Sequence, residues 1–439
     1  MRASKKLIYL IMIAMMYSCK NKESEVLNLD LSSINLIEGI ANPTNQMLLS
    51  DLATSVEFIQ LETSDKSIFN QEKITNIIST SSGILIGVGK RVLHFDRQGK
   101  YIGDIGKFGD GPQDFYYTKG LGYNEASQEV YVPSNFGTSN ELKTYRISDG
   151  KFLDKIKVAQ DGISLITNKN NGEAKEYCFL NGMHIIRRKL PLPNPSEEPW
   201  QILIKDGQNK TLACIYDPVS LNNLETIKEM SGNNINKAGS LWGSEAPILN
   251  SYNGNLSIVF EGNDTVYNWA NGNKLVERFT MNSSNNLSDK EIHQVNKTSQ
   301  YFNQCVIVKD FLETKDYLYF VVENKEYAYL LQFNKETGNI NSIKNKGELK
   351  HSSFMNVDYR VTSAPEFTNN LSGGPAFYPF THNEQEWIDF YSAEELIKNI
   401  ENIKLQQVLQ TDKKEQLIQL IETLDFEDNP VIMIVTLKK

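Results

Sequence analysis

Residues 92–102 read Val-Leu-His-Phe-Asp-Arg-Gln-Gly-Lys-Tyr-Ile: an apolar strand, a polar turn carrying Gly99, and a returning strand. The same unit recurs at Leu142–Phe152, Gln201–Lys210, Val266–Val276 and Tyr329–Gly338. Its turn glycines, Gly99, Gly150, Gly207, Gly272 and Gly338, are spaced 51, 57, 65 and 66 apart. Asn-Gly and Asp-Gly dipeptides punctuate the chain from 110–111 to 271–272. They supply the positive φ angles that tight hairpin turns require. Another apolar strand precedes the hairpins, as at Ile84–Val88, Glu129–Val132, Leu256–Phe260 and Tyr317–Val322. Strand units at this period, without helices between them, are the pattern of propeller blades. A β-sandwich of unrelated hairpins is the competing arrangement. Dividing about 390 residues by roughly 60–65 per blade gives six. The expected fold class is therefore all-β: a six-bladed β-propeller with a helical hairpin inserted before the C-terminal closing strand.

The closing strand is expected at Val431–Leu437, a β-branched run of strand length after the Asp428-Asn429-Pro430 turn. Its N-terminal partner is expected at Val56–Leu61, since pairing the two ends in one blade removes the last open sheet edges. The helical insertion is read at about 393–424. Ser392-Ala-Glu-Glu395 forms a capping box, and Leu396, Ile400 and Ile403 follow on one helix face. A second helix start is read at Asp412-Lys-Lys-Glu415, leading into Leu417, Ile418, Leu420, Ile421 and Leu424.

The N-terminus carries a different message. A basic start with Arg2, Lys5 and Lys6 precedes eleven mostly apolar residues, Leu7 to Tyr17, then Ser18 and Cys19. At about 1.5 Å per residue this stretch covers roughly half of a ~30 Å hydrocarbon core. Residues 1–18 read as a secretory signal, 19–25 as a polar tether, and 26–439 as the propeller, with Leu27, Leu29 and Leu31 alternating as in a half-buried strand. The Cys after a small residue resembles a bacterial lipoprotein signal, which implies lipidation of Cys19 and anchoring at the membrane. Lys20, in place of an Asp, places the expected site at the outer membrane.

Loss of residues 1–18 would move the net charge from −9 to −12 by removing Arg2, Lys5 and Lys6. Such an acidic chain argues against nucleic acid as a partner. Beyond Cys19 only Cys178, Cys214 and Cys305 remain, widely spaced and odd in number. One pair could bridge, but buried thiols are the favoured reading.

The chain resembles bacterial six-bladed β-propeller lipoproteins, distantly similar to NHL-repeat propellers. The resemblance rests on Val56-Glu-Phe-Ile-Gln-Leu-Glu-Thr63, the Phe95–Lys100 turn and Ile105-Gly-Lys-Phe-Gly-Asp-Gly-Pro-Gln-Asp-Phe115. It extends to Ser392–Leu396 and Asp428–Val435. Within it, Gly106, Gly109, Gly111 and Pro112 suit a crossing from the outer strand of one blade to the inner strand of the next. The middle, 160–250, departs from the pattern. The resemblance brings no established reaction with it.

No local motif carries chemistry. The run 103–111 lacks both GxGxxG order and a following helix, and Gly87-Val-Gly-Lys90 lacks phosphate-loop spacing. No GxSxG, HExxH or EF-hand loop occurs. His94, His184, His293, His351 and His382 stand far apart and read as packing or surface residues; Trp200, Trp242 and Trp269 read as core. No catalytic or metal-ligating residue is assigned. The candidate ligand-contact loop lies within 363–380, where Phe367, Phe377, Tyr378 and Phe380 sit among Pro and Gly. Aromatic residues on scaffolded loops stack on sugars or peptides. A loop folded back over the propeller end is the competing reading.

The expected function is a lipid-anchored envelope module, binding or scaffolding a glycan, peptide or partner protein without a cofactor. The alternative is a lactonase-like hydrolase or lyase with calcium in the central channel. It rests on fold analogy and requires several Asp, Glu, Asn or His side chains converging there.

Overall fold

The computed structural model describes residues 33–116, 118, 120–134, 141–157, 175–188, 190–191, 200–218, 242–244, 246–261, 263–270, 274–283, 306–324, 327–345 and 365–439. Cys19, the signal, the tether and Leu27–Leu31 lie outside these residues, as do Cys305, His293 and His351.

Strands β1 (Ser33–Asn35) and β2 (Ala53–Gln60) come first in the chain but complete sheets formed much later. Between them lies the short helix α1 (Leu36–Gly39). Blade 1 is β3 (Ile74–Ser79), β4 (Ile84–Val88), β5 (Arg91–Phe95) and β6 (Tyr101–Asp104). Blade 2 is β7 (Gly122–Asn124), β8 (Glu129–Ser134), β9 (Glu141–Arg146) and β10 (Phe152–Lys157). In blade 3, β11 (Lys175–Leu180) and β12 (Met183–Arg188) are followed by an excursion, β13 (Leu190–Pro191). The blade then resumes with β14 (Ile202–Asp206) and β15 (Thr211–Ile215), while β13 pairs with β16 (Trp242–Ser244).

Blade 4 is β17 (Ile248–Tyr252), β18 (Asn255–Val259), β19 (Thr265–Ala270) and β20 (Lys274–Asn282). Blade 5 is β21 (Ile307–Glu313), β22 (Tyr317–Glu323), β23 (Ala328–Asn334) and β24 (Ile340–Lys344). Blade 6 joins β25 (Thr381–His382), β26 (Glu386–Tyr391) and β27 (Val431–Leu437) to β2. First strands of adjacent blades face each other: β3 with β25, β7 with β11, β17 with β21. Six antiparallel four-stranded blades around a ring of inner strands make a six-bladed β-propeller.

The repeated hairpin of the sequence is the outer pair of strands in blades 1 to 5. Its turn is dictated by backbone geometry. Gly99 has φ of 84°, and a Cβ there would stand 2.0 Å from the Gln60 carbonyl oxygen. In blade 3 the left-handed position falls on Asn209 (φ 67°) rather than on Gly207, as Asn tolerates that region. The closure joins the expected segments, with Val56 opposite Val435, Phe58 opposite Met433 and Gln60 opposite Val431. Val431, Ile432, Met433 and Val435 are fully buried. Burying each such side chain stabilises by about 1.5–3 kcal/mol before entropy is counted.

The N-terminal segment adds something the sequence did not announce. β1 runs parallel to β20, Ile34 beside Met281, as a fifth strand on the edge of blade 4. The chain then crosses blade 5, where the Ser342 hydroxyl donates to the Gly39 carbonyl (2.6 Å) and the Thr44 backbone N–H to Ser342 (2.6 Å).

Helices α2 (Ala393–Leu405) and α3 (Thr411–Ile421) lie between β26 and β27. Ser392 caps α2, its hydroxyl accepting the Glu395 N–H at 3.0 Å. The second helix begins earlier than its sequence signal, after Gln410, so Asp412 sits in the first turn and is no cap. It complements the helix dipole there instead. Leu396, Ile403, Leu417, Ile421 and Leu424 bury the hairpin against blade 6. Cys178 and Cys214 occupy opposite edges of blade 3. Three strand spacings, about 14 Å, separate them, beyond disulfide reach.

Candidate functional site

The six inner strands enclose a channel cavity of about 600 Å³ whose wall takes residues from every blade. Inner strands alternate their side chains between the two faces of a blade: in β11, Cys178 and Leu180 pack toward blade 4, Tyr177 and Phe179 toward blade 2. Two inner strands are bulged. In β3 the register shifts between Ile74 and Asn76, and in β21 between Val308 and Asp310. Each bulge inserts one extra residue, Thr75 and Lys309 respectively, and re-aims its neighbours. Thr75 and Asn76 both reach the channel wall, as do Lys309 and Asp310.

Hydrogen bonds fix this wall. The Thr75 hydroxyl lies 3.1 Å from both the Gly87 and Thr118 carbonyls, and the Leu121 N–H donates to Asn76 Oδ1 at 2.9 Å. These contacts tie the inner edges of blades 1 and 2. Glu176 and Arg187 face each other across β11 and β12 and pair at 2.6 Å (Nε to Oε2). Arg187 Nη1 also donates to the Pro247 carbonyl at 2.9 Å, reaching blade 4. Tyr378 donates its hydroxyl to Asp310 Oδ2 at 2.7 Å, while the Phe311 N–H donates to Oδ1 at 2.8 Å. Burial and the Asp310 charge hold the Tyr378 phenol well above its ordinary range, so it stays a donor.

His382 also lines the channel. Burial lowers its pKa; Asp310 opposes that shift and Arg187 adds to it, so the ring is neutral at pH 7. Cys178 faces the same space, and burial pushes its thiol up to about 11. It is therefore protonated and a poor nucleophile near neutrality. Phe179, Leu249, Phe380 and Ile388 complete the wall with apolar surface. Ser79, on the wall, donates to Glu386 (2.6 Å), which also accepts from Arg97 (2.9 Å).

The four aromatic residues of the candidate loop divide. Phe367 and Phe377 pair through backbone hydrogen bonds of 2.8 and 3.0 Å and are fully buried. Phe367 packs edge-on against Tyr319, with centroids 5.4 Å apart. These two are corrected to core residues, because a β-bridge turns their rings inward where no ligand can reach. Tyr378 and Phe380 stand on the channel wall.

Among the histidines, His94 and His184 are buried inside their blades, as expected. His382 is the one the sequence reading passed over, for it belongs to a two-residue strand with no local signature. Trp200 and Trp269 are core, Trp200 lying under the Arg188 guanidinium at 4.0 Å; the Trp242 side chain lies outside the described residues. The glycine-rich run 103–111 carries the chain from the outer strand β6 toward the inner strand β7 with no helix after it. Among the described residues no three of His, Cys, Asp or Glu are grouped to hold a metal ion. Glu176 is engaged by Arg187 and Asp310 by Tyr378.

A family model described as "Domain of unknown function (DUF4934)" matches residues 31–436. The chain belongs to that family. No curated protein matches it in sequence. Among solved structures, it is similar to a Bacteroides fragilis protein whose name marks it as a candidate exported protein. They share 12% identity and a TM-score of 0.58, over 93% of this chain and 99% of the other. A member of the DUF4221 family from Bacteroides vulgatus is 13% identical, with TM-score 0.44, over 69% and 88% of the two chains. Virginiamycin B lyase from Staphylococcus aureus is 12% identical, with TM-score 0.34, over 66% and 74%. At these identities the likeness concerns the fold.

Proposed function

We propose that this chain is an exported, lipid-anchored binding propeller of the cell envelope, and that its channel takes part of a glycan or peptide, free or displayed by a partner protein. The observation that carries the reading is the channel itself. About 600 Å³ lies within the range of small-ligand sites. Its wall mixes fixed charges of both signs, hydroxyls and aromatic faces, and rigid strands from six blades hold them. That is the composition of a recognition site. Export and anchoring at the outer membrane through Cys19 are supported by the lipoprotein-like start of the sequence. The name of the Bacteroides fragilis protein agrees with export.

Thermal-shift screening of the full chain against glycan and peptide panels tests the binding reading. Thr381→Trp, on the channel wall, serves as a plugged variant whose folding is checked by circular dichroism. A ligand that stabilises the wild type and not the plugged variant is the expected result. No stabilising ligand across both panels, or equal stabilisation of both proteins, overturns it. Radiolabelled palmitate should enter the wild type in cells and not Cys19→Ala; equal labelling overturns the anchor.

A further inference from the structure

The charged groups on the channel wall are not equivalent. Glu176 is paired with Arg187 at 2.6 Å, and Arg187 also holds the Pro247 carbonyl. Asp310 accepts from Tyr378 and from the Phe311 N–H. Glu125 accepts from the Ser81 hydroxyl and from the Gln128 amide, at 3.2 Å. Lys309 differs. Among the described residues its ammonium makes no hydrogen bond, and its ionic neighbour is Glu261 at 4.0 Å. An ammonium has three donors, and this side chain is 31% exposed. It therefore keeps donors available to whatever enters the channel.

Its position is built rather than incidental. Val308 pairs with Val322 and Asp310 with Val321, so Lys309 is the extra residue of the β21 bulge and has no partner across the ladder. Without the bulge, period-two alternation would send Lys309 and Asp310 to opposite faces of the blade. With it, a cation and an anion stand side by side on the wall. His382, near enough to Asp310 to feel its charge, adds a neutral imidazole that makes no hydrogen bond among the described residues. Such a ring offers one donor and one acceptor.

Resting on the channel-binding reading, we propose that the group recognised there is a carboxylate, taken by the Lys309 ammonium, on a ligand that also presents hydroxyl or N–H donors toward Asp310 and His382. A charge-assisted bond of this kind is roughly twice as strong as a neutral one. Asp310 beside the cation discriminates against ligands with a second negative charge nearby, since like charges there repel. Two sources offer this chemistry: the C-terminal end of a peptide, and an acidic sugar.

Isothermal titration of the full chain with four probes separates them: trialanine, trialanine amide, galacturonate and galactose. At least one acid should bind, at least tenfold more tightly than its neutral counterpart, and which acid binds identifies the source. Lys309→Ala should weaken that acid at least tenfold with an unchanged melting temperature, whereas Lys309→Arg should retain most of the affinity. Neutral probes binding within twofold of their acids, or Lys309→Ala binding unchanged, would overturn the carboxylate while leaving the channel as the binding site. Silence from all four probes overturns the carboxylate as well, and the wider panels with the plugged variant then decide the channel reading on their own.

Discussion

Lowering the pH should destabilise this propeller through His184, by an amount that one variant isolates. The ring is fully buried in blade 3, boxed by Tyr131 at 4.8 Å and Phe179 at 5.0 Å, with Tyr177 stacked at 6.1 Å. Nδ1 shares a 2.9 Å hydrogen bond with the Tyr177 hydroxyl, and Nε2 has no partner. Charging the ring there is opposed first by burial and then by Lys205, with Asp206 pulling the other way, so its pKa falls from 6.5 to about 4. The depressed value gives the sign: the unfolded chain takes up its proton first. The stabilisation from a neutral His184 is complete above pH 6.5, declines as pH falls and is gone below about pH 4. The fall from 6.5 to about 4 amounts to about 3 kcal/mol. Urea unfolding of the wild type and of His184→Phe, measured from pH 7 to pH 4, reads this quantity. The wild-type stability should drop by about 3 kcal/mol more than that of the variant across the window. Other titrating groups are common to both proteins and cancel in the difference. Parallel profiles would refute the reasoning, whatever the constant offset between the two.

Gly99 and Gly254 offer a paired test of the turns. Both have positive φ, 84° and 73°, but a Cβ on Gly254 meets open space while one on Gly99 meets the Gln60 carbonyl oxygen at 2.0 Å. Gly254→Ala should cost about 1–2 kcal/mol, and Gly99→Ala clearly more because β2 must move; equal melting temperatures would contradict this. Glu313, 2% exposed, accepts two hydrogen bonds from Arg278 (2.6 and 2.7 Å) and one from Lys335 (2.6 Å) between blades 4 and 5. Glu313→Gln strands those cations and should cost about 3–5 kcal/mol, read by urea unfolding; a loss under 1 kcal/mol would mean that water already shares the cluster.

What was legible in the sequence was what must be satisfied locally. A tight hairpin needs a positive φ, only Gly and Asn provide it cheaply, and so the outer strand pairs showed themselves at Gly99, Gly150 and Gly338. The closing strand showed itself because seven residues from Val431 to Leu437 must fill a blade interior. The inner strands left almost no trace. Each gives the channel a few side chains from segments far apart in the chain. One signal was there to be used: Lys309 and Asp310 are adjacent charges in the middle of a strand, which period two would send to opposite faces unless a bulge intervenes. Phe367 and Phe377 were misplaced for the opposite reason. Composition marks a loop but does not say on which side of its backbone a ring lies, and the bridge between these two residues decided that.

The segment leading into β25 is held by the helical hairpin. Backbone N–H groups of Leu409 and Gln410 donate to Asn370 and Leu371 at 3.0 and 2.8 Å, and Gln406 accepts from Gly374 at 2.7 Å and donates back to it at 3.2 Å. With Phe367 and Phe377 anchored in the core below, the next residue, Tyr378, is delivered to Asp310 in a fixed position. The hairpin thus does more than cover blade 6. It clamps the segment that carries Tyr378 and Phe380 to the wall just before Thr381 and His382 continue it. Lys309 and Asp310 come from blade 5 next door, so β21 and the clamped segment together set the Tyr378–Asp310 contact on the wall.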